Sequence, residues 1–181
     1  MAKLTSRSEK PLDETGWRIL AALQEDGRMS FTALGRRVGL STPAVAERVR
    51  QLEAAGVILG YRAEVDFARV GLPILAIVRM SVVGDVLARV NALARELPEV
   101  LECHRGTGAD SFTMKVAVAS VEHLERLIDR LTPFGTTSTS IVLSSPVVRR
   151  AVAAPAPPAD AVAAPGARGA RGRAARGRAP A

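Results

Sequence analysis

The sequence predicts an α+β protein built in two parts and ending in a segment with no core of its own. Three observations carry that reading. Residues 12–56 show three helical apolar stripes separated by short turns. Residues 73–150 then alternate β-like and helix-like runs in the order β-α-β-β-α-β, the split arrangement of a ferredoxin-like domain. From Val152 onward the chain is almost entirely Ala, Pro, Gly and Arg, too poor in apolar side chains to order itself. The expected divisions are an arm at 1–11, a three-helix unit at 12–60, a linker strand at 61–72, the ferredoxin-like domain at 73–150 and a disordered tail at 151–181.

The helices follow from their caps and stripes. Asp13 is a good N-cap for the first, with Leu12 and Trp17 at the positions of a hydrophobic staple. Ile19, Leu20 and Leu23 continue an apolar stripe and Gly27 closes it. The second helix starts after Ser30 and carries Phe31, Leu34 and Val38. The third follows Ser41 or Thr42, with Pro43 suited to its first turn. Its inward stripe is Val45, Val49 and Leu52, and Gly56 terminates it.

Beyond residue 56 the character changes. Residues 57–65 look like a strand leading out of the helical unit. Then come a strand at 74–83, a helix at 86–97, strands at 100–105 and 112–119, a helix at 121–131 and a last strand at 139–148. The continuous apolar run at 72–78 predicts burial on both faces.

Charge is distributed unevenly. The net charge is +7. Residues 1–62 hold ten Lys/Arg against seven Asp/Glu, residues 63–150 ten of each, and residues 151–181 five Arg against one Asp. Basic ends around a neutral middle point to a polyanionic partner at the ends. The polar, basic start of the chain has no apolar core of a signal peptide. The apolar run at 72–78 is too short to span a bilayer. Cys103, the one cysteine, cannot form an intrachain disulfide, and no Cys/His cluster has metal-ligand spacing. The expectation is a cytoplasmic protein with no membrane, metal or other cofactor.

Residues 31–52 fit a helix-turn-helix. Two helices joined by a tight turn need a small residue where they touch and a turn that tolerates positive φ. Gly35 suits the contact and Gly39 the turn. Rotating the third helix by 100° per residue turns Val45, Val49 and Leu52 inward and Pro43, Glu47, Arg50 and Gln51 outward. A reading helix offers its N-terminal residues to base edges in the major groove. The candidates for double-stranded DNA are therefore Ser41, Thr42, Pro43, Ala44 and Glu47 near the bases, with Glu47 able to accept from cytosine N4. Arg36, Arg37, Arg48 and Arg50 suit phosphates, which position without specifying.

A larger pattern connects these residues. Leu12-Asp13, Ile19-Leu20, Leu40-Ser41, Arg48-Val49, Leu52-Glu53, Gly56-Val57-Ile58 and Gly60-Tyr61 resemble the Lrp/AsnC family of leucine-responsive and asparagine-operon regulators. So do Pro98-Glu99-Val100, Cys103-His104, Thr107-Gly108-Ala109-Asp110 and Thr139-Ser140-Ile141-Val142-Leu143. The resemblance covers residues 12–148. It implies a winged-type DNA-binding unit and a ferredoxin-like domain that dimerises, assembles further in many members, and commonly binds an amino acid at subunit interfaces. Gly16 and Ser111 depart from the pattern, standing where an acid and an aromatic are common. The Arg-rich end also lies outside it.

An amino acid presents an ammonium and a carboxylate, so its receptor needs an acid and a group of donors. The loop carrying Thr107, Gly108, Asp110 and Ser111 supplies one carboxylate and backbone N–H groups. Thr137, Thr139 and Ser140 add hydroxyls just before the last strand. The expected function is a sequence-specific DNA-binding transcription regulator modulated by an amino acid or similar metabolite, working as a homodimer or larger oligomer. The alternative, favoured by the arginines at the end, is an architectural chromosome-binding protein without an effector. His104 and His123 stand apart, with nothing nearby to complete a triad or a ligand set, so both read as structural and no enzymatic role is expected. Cys103 reads as a small core residue.

Overall fold

The structure is a computed structural model that describes residues 12–155. The expectations for the arm at 1–11 and for the tail beyond residue 155 lie outside the described residues. Two compact units emerge. One comprises residues 12–58 together with 151–155, and the other residues 59–150. The segment at 61–72 therefore belongs with the second unit, and the first described residues of the tail with the first.

The first unit holds three helices: α1 (Glu14–Glu25), α2 (Phe31–Val38) and α3 (Thr42–Ala54). Each begins on a side chain that satisfies an otherwise unpaired N–H group. Asp13 accepts from Gly16 N at 2.7 Å, Ser30 from Ala33 N at 3.2 Å and Ser41 from Ala44 N at 3.4 Å. Ser41, not Thr42, is thus the cap of α3. The core is Ile19, Ala22, Leu34, Val38, Val45, Val49 and Leu52, with Leu12 and Leu23 packed against it. Phe31 departs from expectation. As the first residue of α2 it precedes the buried stripe and is 43% exposed. Gly56 ends α3 in the left-handed region at φ 68°, which lets Val57 N donate to Leu52 O at 2.9 Å.

The second unit comprises β1 (Ile74–Ser81), α4 (Leu87–Glu96), β2 (Val100–Arg105), β3 (Phe112–Val118), α5 (Val121–Leu131) and β4 (Thr136–Ile141). The sheet order is β2-β3-β1-β4, and every neighbouring pair is antiparallel. This is the predicted β-α-β-β-α-β arrangement. Both helices cover one face, where Val90, Leu97, Leu124, Leu127 and Leu131 pack on Val78, Met80, Phe112, Met114 and Val116. The other face carries Leu75, Ile77, Arg79 and Lys115 and has no helix over it among the described residues. β1 consequently alternates, with Ala76, Val78 and Met80 buried and Leu75 and Ile77 half-buried. The expected burial on both faces does not occur among the described residues.

Three strand and burial expectations are corrected. Residues 58–66 form no strand, and a turn at 67–71 follows, capped by Asp66, whose carboxylate accepts from Ala68 N at 3.0 Å. A lone extended segment needs a neighbour's edge, and Leu59 remains 91% exposed. The last strand begins at Thr136 rather than residue 139 and ends at Ile141 rather than 148. Its partner sets those limits: Ser81 lies opposite Thr136, and Val142 N donates to Leu75 O at 2.8 Å where β1 runs out. Cys103 is exposed, because β2 is an edge strand that the helices do not cover.

Candidate nucleic-acid interface and effector loop

The corner between α2 and α3 is built by two glycines. A Cβ on Gly35 would lie 2.6 Å from the carbonyl oxygen of Leu40, so only glycine lets the helices meet. Gly39 takes φ 76°, and both Gly39 N and Leu40 N donate to Gly35 O, at 2.8 and 2.9 Å. With the corner fixed and Ser41 capping the helix, the orientation of α3 follows from its apolar stripe. Val45, Val49 and Leu52 are buried, whereas Thr42, Pro43, Glu47, Arg50 and Gln51 are exposed and Ala44 is half-buried.

The charged candidates differ in what already holds them. Glu47 bonds Arg50 at 2.9 Å and accepts from Gln51 at 3.2 Å, so the outer face of α3 carries a small polar network. Arg36 and Arg37 lie exposed in the last turn of α2. Arg37 pairs with Glu25 of α1, and its carbonyl accepts from Arg18 at 3.2 Å. Arg48 points inward. Its guanidinium bonds the Asp13 carboxylate at 2.6 Å and is largely covered. The Gly16 N–H, and then Arg48, hold the Asp13 carboxyl below its ordinary range against the opposing effect of burial. Sequence reasoning missed this pair, since thirty-five positions separate its members.

The second set of candidates lies at one end of the sheet. Gly106 N donates to Ser111 O at 3.1 Å and closes the β2–β3 loop. Gly108 takes φ 116°, and Thr107, Gly108 and Asp110 are exposed. The Asp110 carboxylate takes no hydrogen bond or ion pair among the described residues. Ser111 turns inward, where its hydroxyl accepts from Val82 N at 3.4 Å, just past the end of β1.

Thr137, Thr139 and Ser140 lie within β4, not before it, so alternation divides them. Thr137 and Thr139 sit opposite Met80 and Val78 on the helix-covered face, and Ser140 sits opposite Ile77 on the open one. β1 separates β4 from β3, so about 10 Å of sheet lies between Thr137 and the loop strand. The structure brings Asp110, Ser111 and Thr137 to the same end of the sheet and leaves Ser140 apart. Elsewhere, a recess of about 410 Å³ lies between Phe67, Leu72, Leu75, Lys115 and Val147. None of the sequence candidates lines it.

Both histidines have structural partners. His123 bonds Glu99 at 2.9 Å, and Ser120 caps α5 through His123 N at 3.2 Å. Burial, the largest single influence, pushes the Glu99 carboxyl up, but the bond from His123, its own backbone N–H and the charges of His123 and Arg130 together outweigh it, and the net shift is downward. His104 contacts Glu102 at 3.4 Å, as does Lys115. No group of three or more metal-ligating side chains occurs among the described residues. No helix among them is long and apolar enough to cross a membrane.

A capped, outward-facing second helix in a helix-turn-helix, carried in one chain with a ferredoxin-like domain, defines a two-part helix-turn-helix transcription regulator. Comparison with known proteins agrees. Residues 12–53 match the AsnC-type helix-turn-helix domain, and residues 75–152 match the Lrp/AsnC ligand binding domain. The chain belongs to the Lrp/AsnC family of transcription regulators.

Its relatives include the HTH-type transcriptional regulator LrpC of Bacillus subtilis, 37% identical over 133 residues, which cover 74% of this chain and 92% of LrpC. The solved structure of LrpC superposes with a TM-score of 0.73 at 36% identity, covering 76% of this chain and 99% of that one. A transcriptional regulator of Neisseria meningitidis, solved in complex with L-Met, gives a TM-score of 0.73 at 29% identity, with coverage of 80% and 96%.

Proposed function

We propose that α3 reads base edges in the major groove and that the β2–β3 loop takes an amino acid whose binding alters DNA occupancy. The observation that supports the first part most directly is the division of α3 into a buried stripe and an exposed face bearing Thr42, Pro43, Glu47 and Arg50. In this reading Ser41, Thr42, Pro43, Ala44 and Glu47 approach the bases, while Arg36, Arg37 and Arg50 meet phosphates. Arg48 acts on DNA through Asp13, by holding α3 against the start of α1. DNase footprinting on duplexes selected from a random pool tests this. Arg50→Ala and Glu47→Ala variants that both keep the wild-type footprint and affinity would refute it.

The effector reading is supported by the exposed Asp110 carboxylate beside the glycine loop and by the Neisseria relative solved with L-Met. Asp110 would meet the ammonium group, and backbone N–H groups of the loop the carboxylate. Thr107, Ser111 and Thr137 lie at the same end of the sheet. The sheet's second face, with Leu75 and Ile77 half-buried and no helix over it, supports a homodimer that presents two copies of α3 to a pseudo-palindromic site. Calorimetric titration with L-Met, L-Leu and the other amino acids tests the effector. Absence of binding by all of them would favour an architectural DNA-binding role.

A further inference from the structure

The chain passes between its two compact units twice, once at 58–59 and again at 150–151. The first passage leaves the helical unit just after α3. It contains Gly60, at φ 149°, and no helix or strand forms between residues 58 and 66. Glycine has no side chain to limit rotation, so this passage by itself is a swivel. A body held at one point turns freely about it.

The second passage is held along its length. Val142 N donates to Leu75 O at 2.8 Å where β4 ends. Val147 and Val148 then line the same recess as Phe67 and Ala68 of the first passage, and Arg149 bonds Glu64 at 3.5 Å. At the far end Gln24, near the end of α1, takes hold of Val152. The Gln24 side-chain N–H donates to Val152 O at 3.0 Å, and Val152 N donates to the Gln24 side-chain oxygen at 2.8 Å. The grip is made to main chain, since the Val152 side chain is 64% exposed and adds little burial. Ten Cα steps, from 142 to 152, separate the two fixed points, at most about 36 Å of chain. Attached near the end of α1 as well as after α3, the helical unit can turn only about the line joining the two attachments. Both Gln24 bonds are exposed to water, which competes for them, so the grip opens at modest cost and closes again.

We propose that residues 143–152 are a releasable second tether, latched by Gln24, which stops the helical unit from swivelling about its first connection and thereby fixes the spacing of the two half-sites that a dimer recognises. The latch itself needs neither DNA nor a partner copy; its consequence for spacing rests on the DNA and dimer readings given above. Holding α3 in advance lowers the freedom lost on binding a correctly spaced site and penalises every other spacing. With the latch open, the same two helices accept a wider range of spacings, at lower affinity for the best one.

Trp17, the one tryptophan of the chain, sits in α1 and reports the motion of the helical unit. Time-resolved fluorescence anisotropy of the full chain without DNA tests the latch. Beyond the rocking of the indole itself, the unchanged chain decays at the rate of the whole particle. So does Val152→Ala, which keeps the main-chain bonds. Gln24→Ala, and Val152→Pro, which removes the N–H donor, add a component of intermediate rate. Decays in both of these that match the unchanged chain overturn the proposal, as does an intermediate component already present in the unchanged chain. For the consequence, affinities are measured on a duplex selected from a random pool and on versions whose halves are moved apart by a few base pairs. The unchanged chain loses affinity as the spacing changes, and Gln24→Ala loses less. Equal losses in the two overturn the spacing role. An unchanged chain indifferent to spacing counts against the dimer, and one with no preferred sequence counts against α3 as the reader, while the anisotropy still judges the latch.

Discussion

Arg48, in the middle of α3, bonds Asp13, the N-cap of the first helix, at 2.6 Å. Asp13 therefore serves two partners, the Gly16 N–H of its own helix and a guanidinium of α3. One carboxylate thereby couples the start of α1 to the angle of α3.

This coupling gives stability a defined pH dependence. The folded carboxyl is held below its ordinary value of 3.8, so its contribution is complete above that value and is lost as pH falls through the lower folded value. Urea unfolding of wild type and Asp13→Asn between pH 6 and pH 3 checks this. Asn still caps the helix but cannot ionise, so its stability should vary less over the interval. At pH 7, Asp13→Ala, which loses the cap and strands Arg48, should cost about 1–2 kcal/mol. Parallel pH profiles for wild type and Asp13→Asn would show that the carboxylate contributes nothing through its charge.

Gly35 leaves no room for a side chain. Gly35→Ala should cost about 1–3 kcal/mol, because the Leu40 carbonyl belongs to the turn and cannot move aside cheaply. Thermal unfolding together with DNA affinity is the measurement. Both should fall, since displacing the turn also tilts α3. An unchanged melting temperature would mean that the corner is softer than its geometry implies.

Arg50→Ala should weaken binding to every duplex and reduce its salt dependence, whereas Glu47→Ala should change preference at one base pair by about 1–3 kcal/mol. Because the two side chains bond each other at 2.9 Å, their effects should not add, and a double-mutant cycle of affinities reads the coupling. Strict additivity would mean that the pair is already broken on DNA.

Asp110→Ala should abolish the effect of the amino acid on DNA binding while leaving basal binding intact, since loop and reading helix lie in different units. Titration calorimetry of both proteins with the amino acid that binds wild type decides it. Equal affinities would place the ammonium partner elsewhere.

The open sheet face should hold two copies together at micromolar concentration. Ile77→Asp, which sets a carboxylate between Lys115 and Ser140, should shift light scattering from dimer to monomer without unfolding the chain. A wild-type chain that scatters as a monomer would contradict the assembly.

What could be read from the sequence was local. The caps Asp13, Ser30 and Ser41, the stripe of Val45, Val49 and Leu52, and the roles of Gly35 and Gly39 all depend on residues within a few positions of each other. The errors lie where a distant partner decides. Residues 57–65 have a strand's pattern but no neighbouring edge among the described residues. The limits of β4 are set by β1 and not by its own composition, which places Thr137 inside the strand and divides it and Thr139 from Ser140 across two opposite faces. Cys103 sits on an edge strand, and edge position is a property of sheet order. For the same reason the sequence did not reveal that Asp13 engages Arg48.

The division of labour within α3 bears on how such a protein can change over time. Its inward residues and the two glycines maintain the shape, while Thr42, Pro43 and Glu47 have no share in the core. Under the proposed reading of α3, substitutions at those outward positions would redirect the protein to new promoters while leaving the buried stripe intact. A duplicated copy could therefore acquire a different set of targets in a few mutational steps while inheriting its fold and its β2–β3 loop unaltered.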